Sequence, residues 1–404
     1  MNKRKVINDP VYGFINIPTD LIYDLIQHPW FQRLRRIKQL GLTEYVYPGA
    51  LHTRFHHAIG AVHLMNSALL HLKAKGVKVS NEEMEAAYVA ILLHDIGHGP
   101  FSHTLESVLF EGVHHEHLSL YLMNELNKQF NGRLSLGIQI FEDTYERKWL
   151  HQLVSGQLDV DRLDYLQRDC FFTGVSEGSI GADRIIKMLN VVDDLLVVEE
   201  KGIYSIENFL NARRLMYWQV YLHKTCVVAE QMLILIFKRL KELTINSQNI
   251  LISPSLKNII ASKLNSKHDI SPKLINDFVQ LDDVDVWSAV KQLQHHEDPV
   301  LKTISKQLLN RNLFKLELSS EQYKEEELNK LKSKLEGKYQ NDASFYMSFG
   351  KLSNEAYVSG SKKILIYTKK KQIIDIAEAS ELPNIKAISK IVEKHFLCYT
   401  KDIS

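Results

Sequence analysis

Eleven of the chain's 18 histidines fall between His52 and His117. The stretch ILLHDIGHGPFSH (residues 91–103) gathers three of them with an aspartate, two glycines and a proline. Neutral imidazole beside carboxylate is an ordinary ligand set for a divalent metal, so His94 and Asp95, adjacent at the end of an apolar run, suggest a metal site. Taken alone, such a pair is more often structural, the histidine bonding a carbonyl and the aspartate capping the next turn. Two other segments shift the balance: His57 in TRFHHAIG, and Asp161 in QLDVDRLDYLQRD among apolar residues. With His57, His94, Asp95 and Asp161 as ligands, a metal would have two nitrogens, two oxygens and room for water and a substrate oxygen. Hydrolysis requires that open coordination.

Positioning these groups takes helices, and the apolar spacing from about Thr19 to Thr173 is mostly helical. DLIYDLIQHPWFQRLRRIKQL (20–40), HHAIGAVHLMNSALLHLKAKG (56–76), SNEEMEAAYVAILLHD (80–95), NELNKQF (124–130) and HQLVSGQLDVDRLDYLQRDCF (151–171) carry the pattern. The third opens on the capping-box pair Ser80 and Glu83 and loses its pattern at Gly97, Gly99 and Pro100, which are expected to end the helix and clear space for substrate. DDLLVVEEKGIYSIEN (193–208) reads as a hairpin turning at Lys201–Gly202, with one long helix over 209–243 after it. Beyond about 250, RNLFKLEL (311–318) and KKILIYTKKKQIIDIAE (362–378) alternate like edge strands among helical segments. The fold class is therefore mainly α, with a core over 1–245 and an α+β lobe over 246–404 that is expected to serve oligomerisation. QYKEEELNKLKSKLEGKY (322–339) reads as a solvated helical face.

Composition excludes several classes. The 404 residues allow one large domain or two to three smaller ones, and 45% hydrophobic with 24% charged residues is ordinary for a globular protein. A net charge of +2 gives no overall field for nucleic acid or membrane. Cys170, Cys226 and Cys398 are few and widely spaced, which fits a reducing cytoplasm. The opening MNKRKVINDPVYG lacks the apolar segment of a signal peptide, and CVVAEQMLILIF (226–237) is short and interrupted by Glu230 and Gln231, so no membrane span is expected. Walker loops, GxGxxG, zinc-knuckle spacing, internal repeats and low-complexity segments are all absent from the sequence.

The order H…HD…D, with KVINDP (5–10), FQRLRRIKQLG (31–41), YPGALHTRFHHAIG (47–60), HDIGHGPFSH (94–103), HHEHLS (114–119) and DVDRLDYLQRDCFFTG (159–174), resembles the HD-domain phosphohydrolase superfamily. Within it, these words are similar to the deoxynucleoside triphosphate triphosphohydrolase branch, here without a SAM domain. The HD motif alone is weak; this set of words in this order, running through residues 5–224 with an echo at RNLFK (311–315), is specific.

The resemblance implies an HD-type helical core and cleavage of a deoxynucleoside triphosphate to deoxynucleoside and inorganic triphosphate. It implies one divalent metal (Mn, Fe, Mg, Ni or Zn) on His57, His94, Asp95 and Asp161, and additional Mg with the nucleotide. His115 matches the catalytic histidine and suits a general acid oriented by a carboxylate. Glu116 is adjacent to it, although sequence does not say which carboxylate does the orienting. Arg54, Arg162 and Arg213 match phosphate contacts, which arginine makes bidentately. His98 and His103 are expected to face the phosphates. Tyr165, Asp169 and Tyr221 match the sugar side, and Gln39 and Leu40 match pocket residues. Leu222 and Tyr217 depart from the branch's vertebrate member near sugar and base, so base preference does not carry over.

A second, allosteric nucleotide site is implied by Val6, Asn8, Gln32, Arg35, His223, Lys224 and Arg311, with Gln27 where a guanine-reading aspartate would stand. Equally, Arg35 and Arg311 fit an ordinary subunit interface, and a homo-oligomer, dimer or tetramer, is expected on both readings. Two other functions remain open: an HD phosphohydrolase for another nucleotide or a nucleic-acid end, and a non-catalytic nucleotide sensor.

Overall fold

The computed structural model describes residues 5–110, 112–245, 250–262, 270–354, 363–382 and 392–403, apart from the side chains at 103, 245 and 354. A hairpin of β1 (Val6–Asp9) and β2 (Gly13–Asn16) opens the chain. Short helices α1 (Asp20–Gln27) and α2 (Pro29–Gln32) and a 3-10 turn (Arg33–Arg36) follow. The sequence pattern over 20–40 suggested one helix. Pro29 breaks it, holding His28 extended at φ −63° and ψ 135°.

The core is built on α3 (Arg54–Ala74) and α4 (Asn81–Leu93), followed by α5 (His103–Leu109), α6 (His115–Gln129), α7 (Ser135–Phe141), α8 (Lys148–Val154) and α9 (Val160–Thr173). The Ser80/Glu83 capping box forms as expected, Glu83 N donating to Ser80 Oγ at 3.0 Å and Ser80 N to the Glu83 carboxylate at 2.8 Å. The 151–171 pattern divides in two at Ser155–Gly156, because Asp159 caps a new helix by accepting from Arg162 N at 2.7 Å. α3 and α4 pack together, and Ile59, Ala61, Val62, Leu92 and Leu93 on them are buried.

After α10 (Ala182–Met188), strands β3 (Leu189–Val192) and β4 (Leu195–Glu199) form an antiparallel hairpin. Its turn is Asp193–Asp194, at φ 51° and 60°, and not Lys201–Gly202, which lie in a 3-10 turn leading into α11 (Ile203–Met216). Two left-handed residues give the turn the twist a two-residue hairpin needs, and aspartate tolerates that region. The long helix expected over 209–243 is α11, a π turn (Tyr217–Tyr221) and α12 (Lys224–Ile245), bent by 55°.

Four helices, α13 (Pro254–Ala261), α14 (Pro272–Phe278), α15 (Asp283–Leu293) and α16 (Pro299–Leu309), lead to β5 (Lys315–Ser319). The exposed α17 (Glu325–Tyr339) comes next, then β6 (Met347–Asn354), β7 (Leu365–Tyr367), β8 (Ile373–Asp375), α18 (Ile376–Ala379) and β9 (Val392–Tyr399). One sheet is ordered β5-β9-β6 and all antiparallel; the other is β3-β4-β7-β8, in which β7 pairs parallel with β4. A strand from beyond residue 245 thus completes a sheet begun before it. Among the described residues no single helix is long and apolar enough to cross a membrane.

Candidate active site

His57 leaves the first turns of α3, His94 caps the end of α4, and Asp161 lies in the first turn of α9. Their ligating atoms converge, His57 Nε2 lying 3.0 Å and His94 Nε2 3.4 Å from Asp161 Oδ1. The other ring nitrogens are engaged: His57 Nδ1 with Asp164 Oδ2 at 2.8 Å, and His94 Nδ1 with the Ile91 carbonyl at 2.7 Å. That arrangement fixes the tautomer that leaves each Nε2 lone pair free for a metal. Both Nε2 atoms are buried and face Asp161 without the alignment of a regular hydrogen bond. Asp95 borders the same point, 3.3 Å from His94 Nε2 and 3.9 Å from His57 Nε2.

The electrostatics ask for a cation. Burial alone would lower the basicity of His57, but hydrogen bonds and charge from Asp161 and Asp164 push it up to about 10. Burial would raise the Asp161 carboxyl, yet His57 and His94 hold it far below the usual range. A divalent ion satisfies the same imbalance while leaving the imidazoles neutral. The donor set fits a metal on His57, His94 and Asp161, with Asp95 at its edge.

Beside this centre, the His115 ring stacks on His98 at 3.9 Å and 17°. The carboxylate on His115 is Glu106, from α5, whose Oε2 lies 3.1 Å from Nδ1. Sequence left open which carboxylate orients His115; Glu106 takes that place, and not Glu116, the candidate adjacent in sequence. One position along α6 turns the Glu116 side chain outward, 62% exposed, with only a 3.5 Å approach to His115 Nε2. Glu106 also meets Nδ1 of the exposed His114 at 3.2 Å. No spacing rule in the sequence marked Glu106, since it reaches His115 across a helix boundary.

Arg54 donates to Asp95 and, at 2.9 Å, to Ser102 Oγ. Arg162 pairs with Asp159, and Arg213 donates to Gln157 at 3.0 Å; the buried Nε atoms of both lack a partner. Asp169 accepts from His52 Nε2 and from Tyr221 Oη, each at 2.7 Å. Tyr165 and Tyr221 meet edge to face at 6.2 Å, and Tyr217 lies 5.3 Å from Tyr221. Gln39, joined to the segment before α3 through its N–H on the His52 carbonyl at 3.0 Å, has a buried and unpartnered Oε1. Leu40 follows it, half-buried. The side chain of His103 lies outside the described residues.

The loop carrying His98 is anchored from beneath. Arg33, fully buried on the Phe278 ring, donates to the carbonyls of Leu281 (3.1 Å), Ile96 (2.8 Å) and His98 (3.0 Å). Gly97 does not clear room for substrate: a Cβ there would lie 2.3 Å from His115 O and Ser119 N, so it lets α6 approach the loop.

The residues expected to bind a regulating nucleotide form two groups. Gln32 accepts from Arg35 at 2.9 Å, and Arg35 lies over Phe55 at 3.5 Å, while Val6 and Asn8 are exposed on the hairpin. Lys224 and Arg311 line a separate cavity of about 240 Å³ with Lys401. His223 sits beside it, accepting from Thr225 N at 3.2 Å.

A histidine–aspartate doublet ending one helix, completed by a histidine and an aspartate from two others, defines a metal-dependent hydrolase site of the HD type. The HD domain family model matches residues 54–169, and the HD associated region matches 180–268. The chain belongs to the HD-domain phosphohydrolase superfamily. It is similar to a crystal structure of a phosphohydrolase from Bacteroides thetaiotaomicron, at 52% identity and a TM-score of 0.94 over 99% of this chain and 100% of that one. Among curated relatives, the uncharacterized Bacillus subtilis protein YwfO is 33% identical over 78% of this chain and 72% of its own length. The deoxynucleoside triphosphate triphosphohydrolase SAMHD1 homolog of Dictyostelium discoideum is 31% identical over 77% of this chain and 59% of its own length.

Proposed function

We propose that the chain hydrolyses deoxynucleoside triphosphates at the α-phosphate, releasing deoxynucleoside and inorganic triphosphate. The observation that carries the reading is the Glu106–His115 pair stacked on His98 beside the metal-ligand cluster. Similarity to the Dictyostelium deoxynucleoside triphosphate triphosphohydrolase homolog supports the substrate class.

A divalent ion on His57, His94, Asp95 and Asp161 would polarise the α-phosphate and acidify water. Water adds to the α-phosphorus as the bond from phosphorus to the 5′-oxygen breaks, and the proton released by the attacking water passes to solvent. His115, held through Nδ1 by Glu106, donates the Nε2 proton to the leaving 5′-oxygen. Arg54, Arg162 and Arg213, with His98 and His103, bind the triphosphate. Arg54 must exchange its bond to Asp95 for phosphate. Tyr165, Tyr221 and Asp169 face the deoxyribose and crowd out a 2′-hydroxyl, with Gln39 and Leu40 on the pocket wall.

Cytoplasmic location, a dimer or tetramer joined through 246–404, and activation by a nucleotide on Val6, Asn8, Gln32, Arg35, His223, Lys224 and Arg311 complete the proposal. Product chromatography over the four deoxynucleoside triphosphates, alone and with added nucleotides on metal-defined protein, tests it. Triphosphate and deoxynucleoside are expected; orthophosphate or a monophosphate alone would refute it and favour another nucleotide phosphohydrolase. Nucleotide binding without turnover would favour a sensor.

A further inference from the structure

One buried chain of charged groups reaches the metal centre from the N-terminal hairpin. Asp9, the last residue of β1, is 6% exposed; Arg168, Asp164 and His57 are fully buried. Asp9 Oδ1 accepts from the N–H groups of Val11 and Tyr12, both at 3.0 Å, and so shapes the hairpin turn. Its Oδ2 accepts from Arg168 Nη1 at 2.7 Å. Arg168 grips Asp164 with two donors, Nε to Oδ2 at 2.9 Å and Nη2 to Oδ1 at 3.0 Å. Asp164 Oδ2 in turn holds His57 Nδ1 at 2.8 Å.

The geometry leaves little freedom. Two edges of the guanidinium are committed, and without Asp9 the buried Nη1 would have no acceptor among these partners. A buried donor in that position is costly enough to make the guanidinium turn, and Asp164 must move with it. Gly60 of α3 keeps the space open, since a Cβ there would lie 2.0 Å from Asp164 Oδ1 and 2.2 Å from Arg168 Nη2. A hydrophobic hairpin contact alone would need neither the paired carboxylates nor that glycine.

We infer that Asp9 is a positioning residue for the metal ligand His57, acting through Arg168 and Asp164, so that docking of the hairpin and order in the metal centre are one event. The inference rests on the reading of His57 as a metal ligand. It extends the orienting shell of the site to a residue in the first strand, on an element that carries no ligand.

Asp9→Asn keeps Oδ1, with its two turn bonds and the long 3.4 Å bond from Arg168 Nη2, and replaces the Oδ2 acceptor of Arg168 Nη1 with an NH2 donor. Ile15→Ala, in the buried part of β2, weakens the same hairpin without touching the relay. Full-length protein stripped with chelator is titrated with Mn²⁺, the visible spectrum of its Co²⁺ form is recorded, and thermal midpoints are measured. Asp9→Asn is expected to weaken Mn²⁺ binding about 10- to 100-fold and to shift the Co²⁺ bands. Ile15→Ala should lower the thermal midpoint at least as far and leave Mn²⁺ affinity within about 2-fold. Wild-type affinity in Asp9→Asn, or an equal loss in Ile15→Ala, would overturn the inference while leaving the metal site intact. If wild type and His94→Ala both fail to bind Mn²⁺, the metal reading falls, and the inference with it.

Discussion

Glu106→Gln tests the proposed acid directly. The carboxylate lies 3.1 Å from His115 Nδ1, and both side chains are largely shielded, 16% and 18% exposed. Glutamine keeps the shape and an acceptor oxygen but removes the charge facing the imidazole. A hydrogen bond involving a charged group contributes about 1.5–3 kcal/mol, which at ~1.36 kcal/mol per decade corresponds to a loss in kcat of roughly 10- to 150-fold. KM should change little, because Glu106 acts through His115 and not on substrate. His115→Ala should lose ~10²–10⁴-fold, and the double variant should be no worse than His115→Ala alone, since the pair acts as a unit. Glu116→Gln should stay within about twofold of wild type, its side chain being 62% exposed. Single-turnover release of deoxynucleoside from a saturating triphosphate reads the chemical step. Wild-type rates in Glu106→Gln, or equal losses in Glu106→Gln and Glu116→Gln, would refute the assignment.

His94→Ala and Asp161→Ala should each abolish stoichiometric metal in elemental analysis and abolish turnover, whereas His114→Ala, on an exposed ring, should keep both. Tyr221→Phe removes a half-buried hydroxyl from Asp169, at an expected cost of about 1–2 kcal/mol in urea unfolding, and should raise KM more than it lowers kcat. Burial pushes the Asp283 carboxyl up to about 6 against the bonds it accepts from Lys38 N and Phe101 N; unfolded aspartate titrates near ~3.9. The folded state therefore holds this proton more tightly, and wild-type stability relative to Asp283→Asn should fall by on the order of 2–3 kcal/mol as pH rises from about 4 to 6; parallel stability–pH curves for the two proteins would exclude it.

Much of the site was legible because its residue types are costly to bury without purpose. Histidines and aspartates at the ends of apolar helices announce a shared destination, and His57, His94 and Asp161 meet there. The ends of α4 were legible too, since a capping box and a Gly-rich stop are local chemistry. Glu106 was not, because its partnership with His115 depends on how α5 and α6 meet. The β3–β4 turn was misplaced because glycine is the usual sign of a turn, whereas Asp193 and Asp194 take the left-handed backbone here. The break between α11 and α12 also escaped the pattern, because no glycine or proline marks the π turn and the 55° bend in this apolar stretch.

The loop between the metal ligands and α5 shows why the region beyond residue 245 matters to the site. Phe101 and Ser102 both hold positive φ, 53° and 44°, a conformation that costs on the order of 1–3 kcal/mol per non-glycine residue. Something outside the loop must hold it. The Phe101 N–H donates to Asp283 Oδ1 at 3.0 Å, and Asp283 also accepts from Lys38 N at 2.8 Å, so one carboxylate from α15 ties the loop to the segment before α3. Arg33 secures the other end through the Ile96 and His98 carbonyls and reaches the same region through Leu281. Ser102, held in this backbone, presents its Oγ to Arg54. The strained turn therefore sets where Arg54 and His98 sit, and the helices after residue 270 provide the anchors that keep it strained. Shortening the chain before α15 should disorder the phosphate side of the site while leaving His57, His94 and Asp161 in place, because none of those three draws a described hydrogen bond from beyond residue 245.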